Sequence, residues 1–320
     1  MNFERFHRPP TQQEVSEAQE RKRTFEEQWA HPTEVAIGEE KFDVYDIQPE
    51  SGGKELPLAI MPGWSHTPEV WKDNAREYVG AGFRTVAINA PHGSNKVAQT
   101  KDDDITHTEL KRVSAFLHAL DAKGIQKTDA FGHSEGAIDI LLAAKIAPEK
   151  FRTLVLSNPG GLIGPDSFLS LAGRFAKEKI AAVARAYREG TMRNMLSSHR
   201  EGLKSVIKSP IHSMKEVFGM ANTDLVHLLR ELKEKGIHII IIHSPEDPVF
   251  PFTRMNEVLR KEKIASADGD ILKLVDGVYS VKGGHEESIY KAEDYTRVSI
   301  AALNAVAAKH PYVQERVRPQ

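Results

Sequence analysis

The sequence predicts an α/β fold built on a mainly parallel sheet covered by helices on both faces, with a helical insertion in the middle of the chain. Three observations carry this. Short apolar strands alternate with helix patterns from about residue 56 onward, and the run Ile237-His238-Ile239-Ile240-Ile241-Ile242 reads as a strand buried on both faces. The stretch Asp129-Ala130-Phe131-Gly132-His133-Ser134-Glu135-Gly136-Ala137 passes from strand to helix without a loop. Between Gly160 and about Asn222 the alternation stops and apolar residues recur at helical intervals.

Composition narrows the class further. The 320 residues suffice for a substantial core, in one large domain or two smaller ones. With 43 basic and 45 acidic residues the formal charge is −2, so no global field draws in nucleic acid or an acidic membrane. The absence of cysteine excludes disulfides, thiolate metal sites and a Cys nucleophile. Met1 to Pro10 are polar and charged, and no apolar run approaches the roughly 18 residues of a membrane span. The expectation is a soluble, cytoplasmic protein.

Taken in order, residues 11 to 30 read as a helix, with Thr11 and Glu14 in a capping-box spacing. Val15, Ala18, Phe25 and Trp29 form one stripe interrupted by Lys22, suited to packing on the chain's own body or on a second subunit. Residues 1–32 are therefore expected to be an N-terminal helical arm. Two strands turn near Gly38-Glu39, and Gly52-Gly53 marks a loop. Strand Leu56 to Met61, a helix over Pro68 to Ala81 and strand Arg84 to Asn89 follow. A helix from Thr106 to about Lys123 leads to the strand ending at Phe131. The next helix stops near Pro148, and Phe151 to Ser157 is a buried strand. Residues 271 to 281 supply the last strand and 286 to 308 a closing helix. Residues 33–159 and 223–320 thus form the core, and 160–222 a helical cap over the carboxyl ends of the strands. At about 60 residues the insertion is too long for a connecting loop, and its Met and Phe side chains are expected to form mostly the cap's own core.

In a parallel α/β sheet, reacting groups gather at the carboxyl ends of the strands. Gly132-His133-Ser134-Glu135-Gly136 places Ser134 on a tight strand-to-helix turn that pushes its Oγ outward. After the Ile237 strand comes Ser244-Pro245-Glu246-Asp247-Pro248-Val249-Phe250-Pro251, where Asp247 is placed to hold a histidine and Glu246 is its rival. After the last strand comes Lys282-Gly283-Gly284-His285, on a turn before a helix. The chain order is serine, acid, histidine. Asp102-Asp103-Asp104 reads as a solvated loop, and His133 as structural beneath the turn. His238 and His243, five residues apart on a strand, point to opposite faces, so no metal site is expected.

These residues resemble the α/β-hydrolase superfamily over roughly residues 33 to 310. Met61-Pro62-Gly63-Trp64 is similar to the family's oxyanion loop, with Pro62 where His is common. Asn89-Ala90-Pro91-His92-Gly93-Ser94 resembles the segment after the next strand, with Asn89 where Asp is usual. The resemblance implies a nucleophile elbow at Ser134, Asp247 as acid, His285 as base, and the backbone N–H groups of Trp64 and Glu135 as oxyanion donors. It further implies ester hydrolysis through an acyl-enzyme on a medium-sized apolar substrate, with no cofactor. Thioesters, amides or aminoacyl groups, carbon–carbon bonds and acyl transfer are near neighbours using the same residues. A hydrolase-like binding protein without activity is the alternative from another class. His66 and His92 lie on loops that could rim a pocket and are candidate substrate contacts. A base at His285, if little perturbed, implies activity falling with an apparent pKa of about 6 to 7. A homodimer through the N-terminal helix or the cap is the partner that the apolar seams suggest.

Overall fold

The computed structural model describes residues 11–50, 52–90, 107–190, 210–261 and 274–312. His92, the acidic run at 102–104 and Met192, Met195, Leu196, Val206 and Ile207 of the insertion lie outside these residues.

An eight-stranded sheet runs through the molecule in the order β1-β2-β4-β3-β5-β6-β7-β8. Its strands are β1 (Thr33–Ile37), β2 (Glu40–Ile47), β3 (Leu58–Met61), β4 (Thr85–Ile88), β5 (Thr128–His133), β6 (Phe151–Ser157), β7 (His238–His243) and β8 (Gly277–Ser280). β1 and β2 form an antiparallel hairpin that joins β4 antiparallel, and all later neighbours are parallel. The helices are α1 (Gln12–Trp29), α2 (Lys72–Gly80), α3 (His107–Ala122), α4 (Glu135–Ile146), α5 (Phe168–Glu189), α6 (Pro210–Asn222), α7 (Val226–Glu234), α8 (Phe252–Lys261), α9 (Glu287–Tyr290) and α10 (Ala292–Lys309). Among the described residues no helix is long and apolar enough to cross a membrane.

Strand alternation divides the core into two halves. Ala59 and Met61, Leu154 and Leu156, and Ile239 and Ile241 face one apolar cluster with residues of α3, α4 and α7. Ile60, Val155, Ile240 and Ile242 face the other, with residues of α1, α2 and α10. A period of two therefore gives each central strand two buried faces, as its near-continuous apolar sequence requires. Burying one Leu- or Ile-sized side chain is worth about 1.5–3 kcal/mol, so the sheet is the stiffest frame available for a site at its carboxyl edge.

Several elements differ from the sequence reading. The segment after β3 begins as a 3₁₀ turn at Pro68–Trp71 before α2 starts. The closing helix is two helices, α9 and α10, with Lys291 between them. Helices α7 and α8 were not anticipated, although α7 carries Val226, Leu228, Leu229 and Leu232 buried on one face. In α1, Phe25 and Trp29 pack on the body while Val15 and Ala18 are exposed. Trp29 lies 4.6 Å from the Tyr45 ring, and Trp29 Nε1 and Tyr45 Oη both donate to Glu69. The expectation that the insertion's Met and Phe side chains form mostly its own core fails for Met214 and Phe218, which are exposed, as are Leu169, Ile180, Val183 and Tyr187. Leu171 and Val217 are buried, and Phe175 packs against the main core. Phe175 and Glu178 of α5 reach the turn that carries His285.

Candidate active site

β5 ends at His133 and α4 begins at Glu135, so Ser134 alone makes the turn. Its backbone sits at φ 57° and ψ −117°, a conformation that costs a non-glycine residue about 1–3 kcal/mol. The flanking glycines make the turn possible by close approach. A Cβ on Gly132 would stand 2.3 Å from the Gly136 oxygen, and one on Gly136 would stand 2.1 Å from the Met61 oxygen. Ser134 N–H donates to Ser157 O at 3.0 Å, tying the turn to β6.

His285 Nε2 lies 2.9 Å from Ser134 Oγ, and His285 Nδ1 lies 2.8 Å from Asp247 Oδ2. Asp247 Oδ1 accepts the N–H groups of Val249 at 2.7 Å and Phe250 at 3.2 Å, which fixes the carboxylate's rotation. Glu246, the sequence rival, is exposed, and its backbone N–H donates to Gly283 O. The structure thus brings together Ser134, Asp247 and His285, which are 3%, 4% and 2% exposed. Burial opposes a charge on His285, but the field and hydrogen bond of Asp247, then Glu178 and Glu286, outweigh it and raise the ring above its ordinary value of 6.5. His133, beneath the turn, is held well below that value by burial and then by the His285 and His66 rings. As a neutral ring it donates Nε2–H to His285 O at 2.8 Å, where Asn158 Nδ2 also donates at 2.9 Å.

The loop after β3 lies against the serine. A Cβ on Gly63 would stand 3.1 Å from Ser134 Cβ and 2.9 Å from His133 O, so only glycine lets this loop approach so closely. Arg112 of α3 anchors the loop from below by donating Nη2 to Pro62 O at 2.9 Å and Nε to Asp139 Oδ2 at 2.8 Å. Burial opposes its charge, yet Asp139 and Glu135, then Glu216, keep it firmly protonated. From above, Trp64 Nε1 donates to Glu216 Oε2 of α6 at 2.8 Å, and the Trp64 ring lies 5.6 Å from Phe175 of α5. Phe175 also stands edge-on to His285 at 6.0 Å, and Phe250 meets the same ring edge-wise at 5.4 Å. His66 is buried, with Nε2 3.8 Å from Glu286 Oε1 and its ring 6.0 Å from His133. Among the described residues no cluster of histidines and carboxylates suited to a metal ion is found.

Glu178, Glu216 and Arg112 escaped the sequence reading. Each is a charged residue on a helix pattern, and burial, which spacing alone did not indicate, is what gives it a role.

Residues 58–291 match the sequence model of the Alpha/beta hydrolase family. The chain belongs to the Alpha/beta hydrolase family. A 2-hydroxy-6-oxo-6-phenylhexa-2,4-dienoate hydrolase from Burkholderia cepacia is 26% identical over 131 residues, 40% of this chain and 45% of that protein, so the match spans under half of the relative. A thermophilic esterase from Thermogutta terrifontis has 17% identity and a TM-score of 0.58, over 86% of this chain and 99% of its own. An esterase from Exiguobacterium antarcticum gives 12% and 0.60, over 86% and 100%. These likenesses show the fold.

Proposed function

We propose that the protein is a serine hydrolase that cleaves a carboxylic ester through an acyl-enzyme. The unbroken hydrogen-bonded run from Asp247 through His285 to Ser134 Oγ, at a strained elbow, is the observation that carries this reading. Serine is a weak nucleophile at its own pKa, so His285 Nε2 takes its proton as Oγ attacks the acyl carbonyl and returns it to the leaving alcohol. Asp247 keeps the Nδ1–H tautomer in place and stabilises the imidazolium. The backbone N–H groups of Trp64 and Glu135 bind the oxyanion, and each such donor is worth about 3–4 kcal/mol in the transition state. The close approach of Gly63 to Ser134 supports Trp64 in that role, and the position of Glu135 at the start of α4, where a backbone N–H has no carbonyl in its own helix, supports the second donor. Water then attacks the acyl-enzyme on the same path.

The insertion acts as a cap over this site, and the rings of Phe175 and Phe250 beside His285, with Trp64 against Phe175, favour a medium-sized apolar acyl group. His66 lies beside Glu286, where it can contact a substrate that reaches past the His285 turn.

The test is fluorophosphonate labelling followed by a panel of p-nitrophenyl esters of rising chain length, thioesters and aminoacyl amides. Labelling at Ser134 and ester turnover, both lost in Ser134→Ala, are expected; equal labelling of that variant rejects the reading. The likeness to the Burkholderia cepacia enzyme favours a second reading, carbon–carbon bond hydrolysis by the same residues. Turnover of 2-hydroxy-6-oxo-6-phenylhexa-2,4-dienoate faster than any ester would select it.

A further inference from the structure

α5 reaches the turn that carries the base with three charged side chains. Glu178, 1% exposed, accepts the His285 backbone N–H on Oε1 at 2.9 Å across 107 residues of sequence. The same oxygen accepts Arg185 Nη2 at 2.5 Å, and Arg185 Nε donates to Glu287 Oε1 at 2.6 Å. Lys179 pairs with Glu286. The turn is shaped for this contact, since a Cβ on Gly284 would stand 2.2 Å from Arg185 Nη2 and 2.6 Å from Glu178 Oε1.

The opposite side of the His285 residue belongs to the core. His133 and Asn158 donate to its carbonyl, Asp247 accepts from its ring, and Ser134 meets the remaining nitrogen. His285 is therefore gripped at its N–H by α5 and at its C=O by β5 and the loop after β6. An apolar residue would serve to pack α5 on the core, and a buried carboxylate is costly unless its bonds are specific. Here the carboxylate is directed at the backbone of the base.

We propose that Glu178 is a positioning residue for His285, so that seating α5 on the core and aligning the base on Ser134 are one event. This rests on the assignment of His285 as base to Ser134. The groups facing His285 are Asp247 from the loop after β7, Glu178 and Arg185 from α5, Glu286 and Glu287 on its own turn, and His133 from β5, with His66 and Lys179 beyond Glu286. Glu178 adds its charge to those that favour the imidazolium. Its own carboxyl is pushed upward by burial, against the pull of Arg185 and His285.

The experiment compares the full-length wild type, Glu178→Gln and Glu178→Ala, with Ser134→Ala as blank. It measures kcat and KM against pH, fluorophosphonate labelling rate and thermal unfolding. Glu178→Gln keeps an acceptor but loses the charge, so neutral imidazole persists to lower pH. Its acid limb is expected to move down by about half a pH unit or more, with plateau kcat within about threefold of wild type. Glu178→Ala loses the acceptor and is expected to lower kcat by about tenfold or more with KM within about twofold. Should that variant fail to fold, the limb shift of Glu178→Gln decides. Wild-type kcat and wild-type limb in both variants, with only a lower Tm, would make Glu178 an anchor of α5 and overturn the proposal. A raised KM at constant kcat would overturn it also, by marking a substrate contact. If wild type is labelled at Ser134 and these results follow, only this inference falls; if wild type is not labelled, the assignment of the serine hydrolase falls with it.

Discussion

Asp247→Asn separates the charge and tautomer of the proposed base, His285, from the shape of the site. Asp247 Oδ1 accepts two backbone N–H groups, from Val249 and Phe250, while Oδ2 faces His285 Nδ1 at 2.8 Å. Those two donors require an oxygen, so an asparagine places its carbonyl there and turns its NH₂ toward Nδ1. Nδ1 must then accept, its proton moves to Nε2, and an N–H now points at Ser134 Oγ, 2.9 Å away. A ring protonated at Nε2 has no lone pair for the serine proton. Flipping the amide would leave two buried donors unmet at about 1–3 kcal/mol each, so the wrong tautomer is locked in place. The corresponding change in a Ser-His-Asp protease lowers kcat by about 10⁴, which is a barrier increase of about 5.4 kcal/mol. The assay is kcat on a short p-nitrophenyl ester, with Tm as a check on folding and the exposed Glu246→Gln as control. A loss under about tenfold in folded Asp247→Asn, or an equal loss in Glu246→Gln, refutes the reasoning.

With His285 as the proposed base, its raised proton affinity sets the pH dependence: the ring must be neutral to take the serine proton, so kcat/KM is expected to fall on acidification with a midpoint above the ordinary imidazole value of 6.5. A midpoint below that value with chemistry rate-limiting contradicts the electrostatic balance described for the ring. Gly136→Ala places a Cβ 2.1 Å from Met61 O and 2.8 Å from Pro62 O, both backbone atoms that have no rotamer to yield. Urea unfolding is expected to show a loss of about 3 kcal/mol or more, and a loss under about 1 kcal/mol would mean that β3 and the elbow do not pack as described. Arg112→Met leaves Asp139 and Glu135 without their buried cation and frees the Pro62 carbonyl. About 3–5 kcal/mol of stability should be lost, together with kcat, and unchanged kcat in folded protein would show that Arg112 does not hold the loop proposed to supply the Trp64 oxyanion donor.

The sheet was legible because its central strands are buried on both faces and so write themselves as apolar runs. Ile237 to Ile242 and Phe151 to Ser157 fall where β7 and β6 lie. The turn at Ser134 was legible because glycine is required on both sides of it, and the placing of Asp247 and His285 because each lies on a short loop just past a strand. Helices α7 and α8 were missed because short amphipathic patterns next to loops compete poorly with the strand signal beside them. The outward apolar residues of α5 and α6 defeated the assumption that helical spacing implies burial; Ile180 and Tyr187 share one face of α5, and that face is exposed. Glu178 was illegible for a different reason. Its role depends on a contact 107 residues away, and nothing local to Lys177-Glu178-Lys179 distinguishes it from a solvated charge.

Ser134 occupies the N-cap position of α4 but makes no side-chain capping bond. A serine there ordinarily contributes about 1 kcal/mol by capping, and this one forgoes that while holding its backbone in a conformation that glycine would adopt without penalty. Selection on heat resistance alone therefore runs against the residue on which the proposed chemistry depends. A library sorted only by melting temperature should enrich Ser134→Gly, and any campaign to stabilise the protein would have to keep turnover in the screen to retain the serine.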